Sequence, residues 1–218
     1  APTRVFRPAM QANLFDTNDS SKDPIRHPLG DAELLEFLHL FSPTEADQIL
    51  ATLIQDIPWQ QEYLKIAGRL RAVPRLQCWM GDHGSHYGYS GVRLSPCPWN
   101  KTVKSILARV SELSGSPFNS VLINYYRNGQ DSVAWHADDE RELGEAPVIA
   151  SVSLGAERIF EMKEKNNSPA KKYRLPLRHG SLLVMGEKMQ QHWLHQLPKV
   201  KDLQEPRINL TFRNIIAS

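Results

Sequence analysis

The chain has 218 residues, 41% of them hydrophobic, and carries 26 Lys and Arg against 24 Asp and Glu. That length suits one large domain, or a core with a smaller lid, and is too short for two full-sized domains. The balanced charge excludes a polyelectrolyte tail, the five Trp, six Tyr and seven Phe argue against disorder over the whole length, and no apolar run approaches the ~18 residues of a membrane helix.

With no hydrophobic leader stretch and only two cysteines, Cys78 and Cys97, the expectation is a soluble intracellular protein without a disulfide scaffold. Charge is uneven along the chain. Residues 1–56 hold four basic and nine acidic side chains, a net of −5, which leaves 22 basic and 15 acidic groups, a net of +7, for the rest. A basic body hints at a polyanionic partner.

Residues 1–30 read as a poorly ordered leader, because the stretch Asn18 to Pro24 offers nothing to bury. Ser42-Pro43-Thr44-Glu45 then combines a capping box with Pro at the first helical position. Ala46, Ile49, Leu50, Leu53 and Ile54 line one face of the predicted helix, which Pro58 closes. A second helix is predicted after Trp99, with Val103, Ile106, Leu107, Val110 and Leu113 on one stripe and Gly115 as its stop.

Beyond Gly115 the pattern changes to short β segments. Val121–Tyr126 ends at Asn128-Gly129, a hairpin signal. Ser132–His136, Val148–Leu154, Arg158–Met162, Tyr173–Leu177, Ser181–Met185, His192–Leu197 and Ile208–Ile215 follow. Many short strands without intervening helices predict a β-sandwich or barrel, with the two helices packed outside one sheet.

The sharpest local feature is His136-Ala137-Asp138. Strand alternation puts residues i and i+2 on one face, so this imidazole and this carboxylate can point at one ion. A further His from a distant strand, His179, His192 or His195, would complete two His and one carboxylate. That facial set leaves positions open and suits non-haem Fe(II). His192 and His195 should face opposite ways on an extended segment, and His27, His39, His83 and His86 are expected to be solvated.

In Pro206-Arg207-Ile208-Asn209-Leu210-Thr211-Phe212-Arg213, the residues Arg207, Asn209, Thr211 and Arg213 share one strand face. Two buried arginines are costly without an anionic partner, and a small dicarboxylate satisfies them bidentately. An edge strand with a wet polar face is the alternative. Asn124 and Tyr126 share a face just upstream.

Seven stretches carry a family pattern in order and spacing. They are Val73-Pro74-Arg75, Tyr87-Gly88-Tyr89-Ser90-Gly91, Leu122 to Tyr126, His136-Ala137-Asp138-Asp139-Glu140, Ile149 to Ala156, His179 to Met185, and Pro206 to Arg213. Over residues of about 75 to 215 the chain resembles the AlkB family of Fe(II)/2-oxoglutarate dioxygenases, particularly its nucleic-acid demethylases. The resemblance implies a mainly β, α+β fold: a double-stranded β-helix (jelly-roll) core over 116–218, and an N-terminal helical support and nucleotide-recognition lid over 31–115. Both would form a single compact unit behind the leader 1–30.

Carried over by position, His136, Asp138 and His195 are the iron-binding catalytic centre. Arg207 and Arg213 hold the two ends of 2-oxoglutarate, with Asn124, Tyr126, Asn209 and Thr211 completing that pocket. Fe(II), 2-oxoglutarate and molecular oxygen are the implied cofactors. The cosubstrate becomes succinate and carbon dioxide while an N-methyl carbon is hydroxylated, and the resulting hemiaminal sheds formaldehyde.

A flipped base wants an aromatic surface, which Tyr87 and Tyr89 offer within Tyr87-Gly88-Tyr89-Ser90. A cationic base such as 1-methyladenine or 3-methylcytosine is favoured by nearby Asp139 and Glu140, although a solvated charged loop is the alternative. Lys65, Arg69, Arg71 and Arg75 suit a phosphate backbone, and a second basic run extends from Lys163 to Lys172, Arg174 and Arg178. Ile66-Ala67-Gly68 aligns with the hairpin that duplex-repairing relatives use as a plug, with Ala in place of a large aromatic.

DNA rather than RNA, no membrane, a monomer, and a cytoplasmic location (nuclear in a eukaryotic source) are expected. The alternatives are the same chemistry on RNA, a protein or a small molecule, and a non-catalytic cupin-like metal-binding barrel.

Overall fold

A computed structural model describes residues 23–82, 87–89, 92–94 and 96–216, with the two short strands at 87–89 and 92–94 described by their backbone alone. The predicted helices form where their caps dictate. Helix α1, Pro43–Asp56, opens with a reciprocal cap: Glu45 N–H donates to the Ser42 hydroxyl at 3.3 Å, and Ser42 N–H to Glu45 Oε2 at 2.9 Å. Helix α2, Lys101–Ser114, is capped by Asn100 Oδ1, which accepts from Thr102 and Val103 N–H, and it stops at Gly115 with φ +65°. Only a residue without a Cβ takes that left-handed φ freely.

The strands are β1 (Ile25–Arg26), β2 (Leu34–Phe37), β3 (Tyr63–Ile66), β4 (Arg69–Ala72), β5 (Leu76–Gly81), β6 (Tyr87–Tyr89), β7 (Val92–Leu94) and β8 (Ser120–Tyr126). They continue as β9 (Val133–His136), β10 (Ile149–Gly155), β11 (Arg158–Glu164), β12 (Lys172–Leu177), β13 (Ser181–Met185), β14 (Trp193–Leu197) and β15 (Arg207–Arg213). A one-turn helix α3, Met189–His192, precedes β14. His192 thus ends this helix instead of opening the strand expected there.

A seven-stranded sheet runs β1-β2-β13-β10-β15-β8-β5, and a four-stranded sheet runs β12-β11-β14-β9. Every strand pair within them is antiparallel. Strand parity divides the core. Val121, Ile123, Ile208, Leu210 and Phe212 point to one side of the large sheet and pack with Ala46 and Leu53 of α1 and Val103, Ile106 and Val110 of α2. Leu122, Tyr126, Phe160, Met162, Trp193 and Leu197 fill the space between the two sheets. This is the jelly-roll sandwich, with both helices outside one sheet as the pattern predicted.

Three further features depart from the expectations. Asn128-Gly129 does not close a hairpin, because β8 and β9 lie in different sheets. Instead the loop docks on the 200–203 turn, where Gly129 N–H donates to Leu203 O and Val200 N–H to Gly129 O, both at 2.8 Å. A Cβ at Gly129 would collide with the Val200 carbonyl oxygen, so this glycine serves close approach rather than turn geometry. Strands β2 and β5, from the segment expected to form support and lid, are integral to the large sheet and pair with β13 and β8.

His27 is the third departure. It is half-buried between the sheets' edges, with Nδ1 2.8 Å from the Tyr173 hydroxyl and Nε2 2.9 Å from Glu36 Oε2. Glu36 also accepts from Arg178 Nη1 at 3.2 Å. His39 is exposed as expected, and His83 and His86 lie outside the described residues.

Candidate active site

The site grows from strand register. Strands β9 and β14 are distant in sequence but pair so that His136 faces His195, which brings the two rings to 4.3 Å between centroids. Asp138, two residues beyond His136, keeps its parity past the strand end and turns inward, 1% exposed. One ligand atom from each of His136, Asp138 and His195 lies within 4.8 Å of the others, the only such trio of His, Cys, Asp or Glu among the described residues.

Of the other candidate ligands, His179 is engaged elsewhere. Its Nδ1 accepts from Gly155 N–H at 2.8 Å, and its Nε2 lies 2.9 Å from Asp47. His192 sits at the surface, 3.3 Å from Asp31, and faces away from His195.

The protonation states suit a metal. His136 Nδ1 is 2.8 Å from the Ala134 carbonyl, which fixes the proton on Nδ1 and leaves Nε2 as a lone-pair donor, 3.8 Å from Asp138 Oδ1. Burial lowers the pKa of both imidazoles, that of His195 to about 3, so both are neutral at pH 7. Burial acts to raise the Asp138 carboxyl, but the Arg213 guanidinium outweighs it and holds it below its usual range. Among the described residues no donor hydrogen-bonds to the buried Asp138 Oδ1. Two neutral imidazoles and one ionised carboxylate with an open oxygen fit a divalent cation of the non-haem iron type.

Strand β15 supplies the opposite wall. It lies in the sheet's interior between β10 and β8, and all seven of its residues are buried, so its polar face is not an edge in water. Arg207 Nη2 donates to Ser153 Oγ at 3.0 Å, and its guanidinium carbon sits 5.3 Å from the Tyr126 ring centroid. Asn209 Nδ2 donates to Ser151 Oγ, and Thr211 Oγ1 to Asn209 Oδ1, both at 2.7 Å. Arg213 Nη2 is 3.0 Å from Asp138 Oδ2, which couples the arginine face to the metal ligands.

Arg207, Asn209, Thr211 and Arg213 line a cavity of about 60 Å³ between the sheets, together with Asn124, Tyr126, His136 and His195. Its wall holds three guanidinium groups, Arg75, Arg207 and Arg213, against the single Asp138 carboxylate. That surplus of two positive charges matches a small dicarboxylate. Burial lowers Arg207 to about 10, so it still carries its charge at pH 7. Among the described residues its Nε has no hydrogen-bond acceptor, which leaves a donor for an incoming anion.

The expected substrate residues scatter. Arg75 is 5% exposed and points inward: Nε donates to Asn124 Oδ1 at 3.0 Å and Nη1 to Ser132 O at 3.1 Å. Burial therefore makes it a pocket residue and removes it from the set able to grip phosphate. Ile66, Ala67, Gly68 and Arg69 form the tip of the β3–β4 ribbon, whose strands, among the described residues, pair only with each other. Asp139 is exposed and 2.8 Å from Lys165 Nζ, and Glu140 is partly buried beside it. Tyr87, Gly88 and Tyr89 form β6, their side chains and Ser90 lying outside the described residues.

Much of the second basic run has internal partners. Lys165 pairs with Asp139, Arg174 with Glu161, and Arg178 with Glu36. Lys163 lies over the Trp135 ring at 4.4 Å.

Several side chains of the site were not among the expected ones. Gln77 Nε2 donates to Asn124 Oδ1 at 2.9 Å. With Arg75 on the same oxygen, this aims the Asn124 NH2 group into the cavity. Ser151 and Ser153 share parity on β10, a polar alternation inside an apolar strand that would have marked them. Arg158, 2% exposed, donates to the carbonyls of Asp131 and Pro198 and stands behind Tyr126. Nothing in its sequence context marks it.

Comparison with known proteins agrees with this geometry. The sequence model of the 2OG-Fe(II) oxygenase superfamily matches residues 34–213. The human alpha-ketoglutarate-dependent dioxygenase alkB homolog 3 is 37% identical over 222 residues, spanning 98% of this chain and 77% of that protein. Human DNA oxidative demethylase ALKBH2 is 43% identical over 186 residues, spanning 81% and 71%, and its Arabidopsis thaliana counterpart is 36% identical over 229 residues, spanning 92% and 73%. A solved structure described as the structure of OsALKBH1 superposes with a TM-score of 0.56 at 17% identity, covering 83% of this chain and 96% of that one, a likeness of fold. With a His-Asp-His trio converging beside a buried arginine strand, the chain belongs to the AlkB family of the 2OG-Fe(II) oxygenase superfamily, enzymes that use Fe(II), 2-oxoglutarate and molecular oxygen.

Proposed function

We propose that this enzyme is a DNA oxidative demethylase that removes N-methyl groups from alkylated bases of the 1-methyladenine and 3-methylcytosine type, releasing formaldehyde, succinate and carbon dioxide. The observation that carries the reading is the convergence of His136, Asp138 and His195 on one point while Arg213, through Asp138, joins that point to the Arg207 face. Human ALKBH2, named a DNA oxidative demethylase, supports the choice of substrate, and human alkB homolog 3, named an alpha-ketoglutarate-dependent dioxygenase, supports the chemistry.

His136, Asp138 and His195 would hold Fe(II), which with 2-oxoglutarate and oxygen supplies the oxidising power to hydroxylate a methyl C–H bond. The chain's own residues do the positioning. Arg207 would take the distal carboxylate of the cosubstrate, with the Tyr126 ring packed against its guanidinium. Arg213 would steady the proximal end, while Asn124, Asn209 and Thr211 supply polar contacts between. Leu122, Phe160 and Leu177 wall the cavity and exclude water from the reacting atoms.

The β3–β4 ribbon suits a nucleic-acid strand. It presents Lys65, Arg69 and Arg71 together with Tyr63, Ile66 and Leu70, which are 55%, 52% and 73% exposed. Its tip holds Ala67 at φ +48° and Gly68 at φ +79°, so Ile66 is the apolar group nearest the turn and would serve as a small wedge. Asp139 and Glu140, next to the trio, would favour a cationic base over a neutral one.

The reading also includes a monomer acting on DNA rather than RNA, in the cytoplasm or, in a eukaryotic source, the nucleus. A panel of methylated single- and double-stranded DNA and RNA oligonucleotides tests it, scored for succinate and for the unmodified base. Turnover of 3-methylcytosine in DNA is expected. Succinate formed only with RNA, or with none of the oligonucleotides, would overturn the substrate assignment.

A further inference from the structure

Asp138 leaves its strand at His136 and stands on a loop, yet it must hold a fixed place against two imidazoles borne on paired strands. What fixes it lies on the other side of the site. Helix α3 is a single turn, Met189–His192, entered through Lys188 at φ +64° and leading straight into β14, which carries His195. Gln190 on that turn is 2% exposed. Its Oε1 accepts the backbone N–H of Asp138 at 2.9 Å, and its Nε2 donates to Met185 Sδ at 3.6 Å.

The amide orientation follows from chemistry. A backbone N–H can only donate, so the group facing it must be the oxygen, which leaves the NH2 for the thioether. The neighbouring Gln191 Nε2 donates to the Glu145 carbonyl at 2.7 Å, so the same turn also grips the far side of the Asp138 loop.

We propose that Gln190 is a positioning residue for the metal centre: a buried strut that locks the Asp138 backbone to the turn preceding His195 and so sets the separation between carboxylate and imidazole before any cation arrives. This rests on the reading of the trio as a divalent-metal site. Without the amide oxygen the Asp138 N–H is buried and unsatisfied, and the carboxylate is free to swing toward Arg213, whose Nη2 already lies 3.0 Å from Oδ2. Outer-shell partners of metal ligands typically carry 10–100-fold in affinity.

The test is an anaerobic Co(II) titration of the full chain, followed by the visible absorption of the bound ion, on the unaltered protein, Gln190→Met and Gln190→Glu. Gln190→Met keeps the volume and loses the acceptor; it should fold, bind Co(II) roughly 10–100-fold more weakly and show an altered spectrum. Gln190→Glu keeps an oxygen facing Asp138 N–H and should recover most of the affinity. Equal affinity and spectrum in Gln190→Met, or an equal loss in both variants, would overturn the strut while leaving the metal site standing. An unaltered chain that takes up no Co(II) would overturn the metal reading itself.

Amide hydrogen exchange on the unaltered chain decides the matter if Gln190→Met does not fold. The Asp138 amide should be protected, and exchange at the rate of an open loop would refute the strut.

Discussion

Replacing Arg207 by Met separates cosubstrate binding from folding. The guanidinium is fully buried, has the neutral hydroxyls of Ser153 and Tyr126 as hydrogen-bond partners, and among the described residues its Nε has no acceptor. A buried charge without a carboxylate partner contributes little to stability and can be replaced by an apolar side chain of similar volume at little cost. The ligand-free Arg207→Met protein should therefore unfold within about 1 kcal/mol of the unaltered chain.

Binding of 2-oxoglutarate should respond quite differently. Each charge-assisted hydrogen bond contributes about 1.5–3 kcal/mol, and the low end of that range for two prongs gives about 3–4 kcal/mol. At about 1.4 kcal/mol per decade, the Kd for 2-oxoglutarate should rise roughly 10²–10³-fold. Arg207→Lys keeps the charge and loses the fork, so it should fall between.

Calorimetric titration of 2-oxoglutarate into the Mn(II)-loaded protein, paired with thermal unfolding of the metal-free protein, reads both quantities. An unchanged Kd would refute the assignment of the β15 face to the cosubstrate. A large Kd increase accompanied by an equally large loss of metal-free stability would show that Arg207 is structural instead.

Three further outcomes concern other parts of the molecule. The side chain and backbone of Arg127 donate three hydrogen bonds of 2.8–2.9 Å to the Asp131 carboxylate; burial acts to raise its pKa, but these bonds outweigh it and hold the value below the usual range. A depressed folded-state pKa gives stability that is present above the unfolded value of about 3.9 and is lost as pH falls through the folded one. Asp131→Asn should thus lose about 1–3 kcal/mol at pH 7 and show a flatter acid limb below about pH 4 in denaturant titrations; an unchanged limb would contradict this.

Removing Lys65, Arg69 and Arg71 together should lower the slope of log K against log salt for a DNA oligonucleotide by about one for each phosphate that is no longer neutralised; an unaltered slope would take the ribbon out of the interface. Gly129→Ala forces a Cβ onto the Val200 carbonyl and should cost about 1–3 kcal/mol in chemical denaturation, a neutral result meaning that the 128–131 loop is free to move.

Parity made the site legible. His136 with Asp138, and Arg207 with Asn209, Thr211 and Arg213, are grouped by strand alternation alone, and the alternation holds because β15 is packed on both faces. The choice among His179, His192 and His195 was closed to local pattern, since it depends on the β9–β14 register between strands far apart in sequence. Ser42 and Gly115 exposed one end of each helix, because both act through neighbours within three residues, whereas the Asn100 cap appears only in the structure.

Strand β5 escapes a periodicity reading because a strand between a helical layer and a second sheet is apolar on both sides and shows no period of two; Gln77, Cys78, Trp79 and Met80 are all buried. Strand β2 is four residues long and borrows its stability from β13. Arg75, Gln77, Arg158 and Gln190 share a different obstacle. Each is a polar side chain whose partner lies more than 25 residues away, so its burial follows from tertiary contacts that no local motif encodes.

The most direct test of the whole arrangement is diffraction at the iron absorption edge from crystals grown anaerobically with Fe(II) and 2-oxoglutarate. One anomalous peak bonded by His136, Asp138 and His195, with the cosubstrate reaching from it to Arg207, is the expected result. Iron bound elsewhere, or a cosubstrate that avoids the arginine strand, would contradict it.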